Sequence, residues 1–208
     1  MSHHPSHPVL GVLVSGRGSN LQAIIDAIAA GRLAATVGIV IANQKGAPAL
    51  ERAARAGIET AVIEHRGWPS RADFEQALLE RLALAGVTVV CLAGFMRILS
   101  PTFIEGAPGP VLNVHPSLLP AFPGVDAQRQ AWEHGVTVAG ATVHLVTAEL
   151  DAGPIVVQAT VPVLPGDTVD DVSARILVEE HRILPEAIAA VARPGWRLDG
   201  RRFIHAPA

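Results

Sequence analysis

Two stretches of this chain carry chemistry by residue type and spacing. Asn113-Val114-His115-Pro116 closes a short apolar run. Residues two apart in a strand face the same side, so the amide of Asn113 and the imidazole of His115 are expected side by side at a strand end. Such a pair can hold a carbonyl and its developing oxyanion while the imidazole donates or relays a proton. Taken alone, a satisfied buried Asn and His explains the same letters at least as well. Asp151 is the third member, in the loop Thr147 to Pro154 between two apolar runs. A carboxylate near His115 would orient the ring and favour its protonated form. On its motif alone Asp151 reads equally as a turn residue ahead of Gly153.

The second stretch is Ser15-Gly16-Arg17-Gly18-Ser19-Asn20, a glycine loop between an apolar run and a helical pattern. Backbone N–H groups and the positive end of a helix then point toward an anion, and phosphate is the natural ligand. A dinucleotide fits less well, because the third glycine of the fingerprint would fall at Leu21 and the following strand leads to Asn43 rather than to an acidic residue. A tight turn without a ligand is the competing explanation. Cys91 lies inside an apolar run and reads as a core residue, not a nucleophile. His144, in an apolar strand, and His181, in a helix, read better as core or supporting residues than as site residues. No His and carboxylate spacing suggests a metal, and none is expected. His3, His4 and His7 fall in a proline-broken start, read as a flexible tail over residues 1–8 with no function.

The elements that must hold these residues follow an alternating pattern. Val9 to Val14 reads as a buried strand, and Leu21, Ile24, Ile25 and Ile28 give one helix face ending at Gly31. Val37 to Ala42, a helix from Pro48 to Ala56, Ala61 to Ile63, a Ser70-capped helix bearing Phe74, Leu78 and Leu82, and Val87 to Ala93 continue it. The alternation predicts a Rossmann-like, doubly wound, mainly parallel α/β sheet in the N-terminal half. Val111 to His115, a helix over Gln128 to Glu133, and strands over Ala139 to Val146 and Ile155 to Val163 extend it as a mixed sheet. Thr168 and Asp171 cap a long last helix to about Val191, bent near Pro185, before a hairpin around Asp199-Gly200. Residues 9–208 are expected to form one domain with two unequal halves.

Composition narrows the function classes. Of 208 residues 50% are hydrophobic and 17% charged, enough apolar material for a well-buried domain. With 16 Lys and Arg against 19 Asp and Glu the net charge is −3, which argues against nucleic acid or an anionic membrane as partner. No apolar run reaches the roughly 20 residues of a membrane helix. A single cysteine fits a reducing compartment, and the cytoplasm is the expected location.

Four ordered blocks carry a family resemblance: Ser15 to Ile24, Leu92 to Ser100, Leu112 to Pro120 and Glu149 to Pro154. Together they resemble the phosphoribosylglycinamide formyltransferase family over nearly the whole chain. The resemblance implies transfer of the formyl group of 10-formyltetrahydrofolate to the primary amine of glycinamide ribonucleotide, in purine synthesis. It implies Asn113, His115 and Asp151 as the catalytic trio, and Gly18, Ser19 and Asn20 for the nucleotide's phosphate, with Glu180 on its ribose or glycinamide part. Arg71, Met96, Arg97, Ile98 and Leu99 would line the folate site with Asn113 and the segment Thr147, Ala148, Glu149, Leu150 and Asp151. Leu177, Gln128 and Ala152 depart from residues frequent in the family and bear on peripheral contacts and on loop freedom. Related enzymes that formylate methionyl-tRNA or hydrolyse formyl-folate carry extra domains for which 208 residues leave no room. A non-catalytic phosphosugar-binding module would account for the glycine loop and leave Asn113, His115 and Asp151 as coincidence. Oligomeric state is left open, a homodimer included.

Overall fold

The computed structural model describes residues 7–205, so most of the expected tail over residues 1–8 lies outside the described residues. The chain divides into two compact units, Met1–Leu112 and Asn113–Ala208.

The first unit alternates strand and helix: β1 (Val9–Val14), α1 (Ser19–Ala29), β2 (Thr36–Ala42), α2 (Pro48–Arg55), β3 (Thr60–Val62), α3 (Arg71–Leu84), β4 (Val89–Leu92) and α4 (Pro101–Gly106). Its strands lie in the order β3-β2-β1-β4, and β1 pairs parallel with both β2 and β4. Val12, Leu13 and Val14 are buried in succession, as are Ile39 to Ala42. Because successive residues face opposite sides, both faces of these strands are covered, which is the doubly wound arrangement expected from the sequence. The chain walks outward from β1 to β3 and then returns to β4 on the other side of β1. That reversal makes the carboxyl ends of β1 and β4 a topological switch point, where open α/β sheets bind ligands. The glycine loop leaves one of these ends and the segment from Ala93 to Ser100 leaves the other. Two differences are small. β4 is shorter than the apolar run around it, and the six-residue α4 has no sequence counterpart above; it starts where Ser100 accepts a hydrogen bond from the Phe103 N–H at 3.1 Å.

The second unit contains the end of β5 (Val111–His115), then α5 (Ala127–Glu133), β6 (Val138–Leu145), β7 (Ile155–Pro162), α6 (Val169–Ala192), β8 (Arg197–Asp199) and β9 (Arg202–Ile204). Its order is β5-β6-β7-β9-β8, with β6 and β7 antiparallel, so the sheet is mixed as expected. α6 opens on a full capping box, Thr168 and Asp171 exchanging hydrogen bonds, and runs for 24 residues through Pro185. It lies against β6 and β7, where Val172, Ile176, Ile183, Leu184 and Ile188 are wholly buried. Each such side chain contributes on the order of 1.5–3 kcal/mol of burial.

Candidate active site

Asn113 and His115 share one side of β5, and His115 is 5% exposed. Its Nε2 lies 2.9 Å from the Phe122 carbonyl, which can only accept, so Nε2 carries a proton. Its Nδ1 lies 3.5 Å from Asp151 Oδ2. Each ring nitrogen therefore faces an acceptor, an arrangement that only the doubly protonated ring satisfies in full.

Asp151 sits at a positive φ of 49° in the loop between β6 and β7. Its Oδ2 accepts the Gly124 N–H at 2.8 Å, and its Oδ1 lies 3.7 Å from His144 Nε2. Burial pushes its carboxyl upward, but the contact with His144, the Gly124 N–H and the charge available on His115 and His144 outweigh burial. The group is held below the ordinary carboxylate value near 3.8. At 3.7 Å the His144 contact is an ion-pair distance, so the Gly124 N–H is the anchor that fixes the carboxylate.

His144, given only a core or supporting role above, joins the site directly. It is 2% exposed, and its Nε2 lies 3.2 Å from Asn113 Nδ2. Its Nδ1 lies 3.0 Å from the Leu145 carbonyl and so carries a proton. Nε2 then serves one neighbour at a time: unprotonated it accepts from the Asn113 amide, protonated it pairs with Asp151 and the amide must turn round. The β6–β7 register shifts between Val143 and His144 by skipping Val156, so the extra residue lies in β7, and the ordinary alternation of β6 sets His144 on the same face as Thr142.

The loop after β5 supplies the backbone members of the site. Buried Ser117 donates to the Ala121 carbonyl at 2.6 Å. Thr142 on β6 accepts the Leu119 N–H at 3.1 Å and donates to the Ser117 carbonyl at 2.6 Å, while Gln158 on β7 donates to the Leu119 carbonyl at 2.9 Å. These bonds seat the loop so that the Phe122 carbonyl and the Gly124 N–H reach His115 and Asp151. Phe122, Asp126 and Asp151 are the non-glycine residues with positive φ among those described, all in the loops around this site. Such conformations cost roughly 1–3 kcal/mol each and persist where surrounding bonds over-determine them. Gly153 is obligatory for a different reason: a Cβ there would stand 1.7 Å from the Leu145 carbonyl oxygen.

In the first unit, Gly18 precedes α1 at φ 72° and offers no side-chain cap. A Cβ at Gly18 would stand 2.6 Å from Ala49 Cβ and 2.7 Å from Ala49 Cα, so only glycine lets the loop pack on α2. Ser15 ties the two switch-point loops together. Its N–H donates to the Gly94 carbonyl at 3.2 Å and its Oγ accepts the Met96 N–H at 2.8 Å. Met96 and Ile98 are 72% and 64% exposed, whereas Leu99 turns into the core. Arg71, at the start of α3, donates through Nη2 to the Ile98 carbonyl at 2.7 Å. In the second unit Glu180 is buried on α6, and Thr147 to Leu150 are exposed. Cys91 is wholly buried, and burial pushes its thiol up to about 12, which makes it inert as a nucleophile.

A family model described as formyl transferase matches residues 10–188. The chain belongs to the formyl transferase family. This formyl transferase is 46% identical over 194 residues to the phosphoribosylglycinamide formyltransferase of Escherichia coli (strain K12), covering 93% of this chain and 89% of that one. It is 48% identical to part of the trifunctional purine biosynthetic protein adenosine-3 of Homo sapiens, covering 88% of this chain but only 18% of the human protein. Among solved structures, the glycinamide ribonucleotide transformylase 1 of Symbiobacterium toebii superposes with a TM-score of 0.94 at 51% identity, covering 98% of this chain and 96% of that one. The mixed α/β fold with its mostly parallel sheet and long last helix is thus the fold of that group.

Proposed function

We propose that this formyl transferase moves the formyl group of 10-formyltetrahydrofolate to the amine of glycinamide ribonucleotide, by direct attack and without a covalent enzyme intermediate. The observation that carries this reading is the shared carboxylate: Asp151 lies 3.5 Å from His115 and 3.7 Å from His144, which in turn lies 3.2 Å from Asn113. In the reaction the amine nitrogen bonds to the formyl carbon, and the carbonyl oxygen takes up negative charge. The bond from that carbon to N10 of the folate then breaks, and the proton lost by the amine ends on N10. Asn113 and protonated His115 stabilise the oxyanion, and Asp151 orients the imidazole through its Nδ1. To do so His115 releases its Nε2–H from the neutral Phe122 carbonyl, a bond worth about 0.5–1.5 kcal/mol. A charged acceptor holds the same proton roughly twice as strongly, so the exchange favours the transition state. Direct attack on the formyl amide needs no metal-dependent step.

Binding follows the same division of labour. Gly18, Ser19 and Asn20 take the nucleotide's phosphate at the start of α1, and Glu180 contacts its ribose or glycinamide part. The folate side consists of Arg71, Met96, Arg97, Ile98, Leu99 and Asn113 with Thr147, Ala148, Glu149, Leu150 and Asp151. The exposed apolar Met96 and Ile98 beside the Arg71 guanidinium suit a ligand with an aromatic body and a carboxylate tail. Residues 9–208 act as one formyltransferase domain, a reading supported by a family match that runs through both compact units. A cytoplasmic location belongs to the same proposal. The test mixes purified protein with both substrates and follows the nucleotide's mass. A gain of one formyl unit, lost in His115→Ala while nucleotide binding persists, is expected. Folded protein that leaves both substrates intact refutes the reading, and retained binding with no turnover in the wild type points instead to a phosphosugar-binding module.

A further inference from the structure

We infer that Glu75 is a positioning residue for the folate side of the reaction: it holds the Arg71 guanidinium and the Ile98–Ser100 backbone in one fixed arrangement. Glu75 stands one turn into α3 and is 4% exposed, an unusual depth for a carboxylate. It is buried because its oxygens are taken up by donors. Oε1 accepts from Arg71 Nε at 2.8 Å and from the Ser100 N–H at 2.9 Å, and Oε2 accepts from the Ser100 hydroxyl. Arg71 completes the clamp by donating through Nη2 to the Ile98 carbonyl at 2.7 Å. One carboxylate thus joins the first turn of α3 to the segment that presents Met96 and Ile98, and to the cap of α4.

The consequence concerns where a charge sits. An unrestrained arginine spreads over many rotamers, and ordering it on ligand binding weakens that binding. Here Nε and Nη2 are already spent on Glu75 and Ile98, while the Arg71 side chain stays 54% exposed. The rest of the fork faces outward beside the exposed Ile98, arranged for an anion attached to an apolar body. Glu75 touches no reacting atom and acts through Arg71. The inference rests on the reading that Arg71 and Met96 to Leu99 form the folate surface, and on nothing about the nucleotide.

Steady-state kinetics with each substrate varied in turn test it. Glu75→Gln keeps the shape and removes the charge. It is expected to raise KM for the formyl-folate roughly 3- to 10-fold, the penalty of ordering one rotamer-rich side chain on binding, with kcat and the nucleotide KM within about twofold. Toward a formyl-folate analogue lacking the terminal carboxylates, the variant and wild type are expected to have the same KM. In an Arg71→Ala background, Glu75→Gln is expected to add less than about twofold, because its partner is already gone. If Arg71→Ala raises the folate KM and Glu75→Gln does not, the positioning role is overturned while the folate reading stands. If Arg71→Ala leaves the folate KM unchanged, the folate reading of Arg71 fails, and the inference with it. A rise in both KM values together, or a fall in kcat, marks Glu75 as a general structural residue and also overturns it. Should Glu75→Gln fail to fold, Glu75→Asp carries the test. It retains the buried charge but draws the oxygens back by one methylene, so the same folate-only rise supports the role and its absence refutes it.

Discussion

Replacing His144 by Leu separates an active site that works through Asn113 and Asp151 from one in which His144 merely fills the core. The change removes the acceptor 3.2 Å from the Asn113 amide and the ion-pair partner 3.7 Å from Asp151. A neutral hydrogen bond is worth about 0.5–1.5 kcal/mol and one to a charged group about 1.5–3, and because Nε2 serves one of the two at a time the loss is one or the other, about 0.5–3 kcal/mol. If all of it is felt in the transition state, at about 1.4 kcal/mol per tenfold, kcat/KM falls roughly 2- to 150-fold. Neither contact touches substrate, so the loss is expected in kcat, with both KM values little changed. His144→Gln, whose amide oxygen can still accept from Asn113, is expected to recover part of the rate. Buried Leu also leaves the Leu145 carbonyl without its ring donor, a cost of about 1–3 kcal/mol that thermal unfolding would read as a drop of about 2–4 °C per kcal/mol. The assay is formyl transfer under saturating substrates, with unfolding followed in parallel. If His144→Leu turns over within about twofold of wild type while Asn113→Ala is inactive, the amide takes its orientation from elsewhere and the reasoning fails.

Two further outcomes follow from the same geometry. The Asp151 carboxyl is held below its ordinary value, so the unfolded chain binds its proton more readily than the folded one. Its contribution to stability is therefore complete above the usual carboxylate range and fades as pH falls through the depressed folded value, so Asp151→Asn should flatten the acid limb of a stability-versus-pH curve; an unchanged limb contradicts the shift. Gly18→Ala puts a methyl 2.6 Å from Ala49 Cβ at a φ of 72°, and we expect a loss of about 1–3 kcal/mol in chemical denaturation and a raised nucleotide KM. Wild-type stability in this variant would show that the loop relaxes without cost.

Much was legible in the residues themselves because it depends on local periodicity. Strand β1 follows from its apolar run, the capping box of α6 from Thr168 and Asp171, and the shared face of Asn113 and His115 from the two-residue repeat of a strand. The resemblance blocks located the loops at the ends of β1 and β4, and the fold has those loops at its switch point. The sequence alone therefore determined the order of the elements other than α4 and the class of the sheet, and it named the loops proposed to carry the site. What the tertiary structure decided are the partners of those residues. His144 reaches Asn113 and Asp151 because β6 lies beside β5 and the loop after β6 folds back over it, and no alternation of letters announces which strands become neighbours. The Phe122 carbonyl and the Gly124 N–H have no side-chain signature at all; they arrive through Thr142 and Gln158, 23 and 39 residues from Leu119 in sequence. Glu75 drew no reading from its place next to Phe74 in an amphipathic helix, because the Ser100 N–H that buries it comes from a segment 25 residues away. Periodicity is a property of neighbours along the chain, whereas hydrogen-bond partners and burial depend on segments brought together only when the sheet has formed.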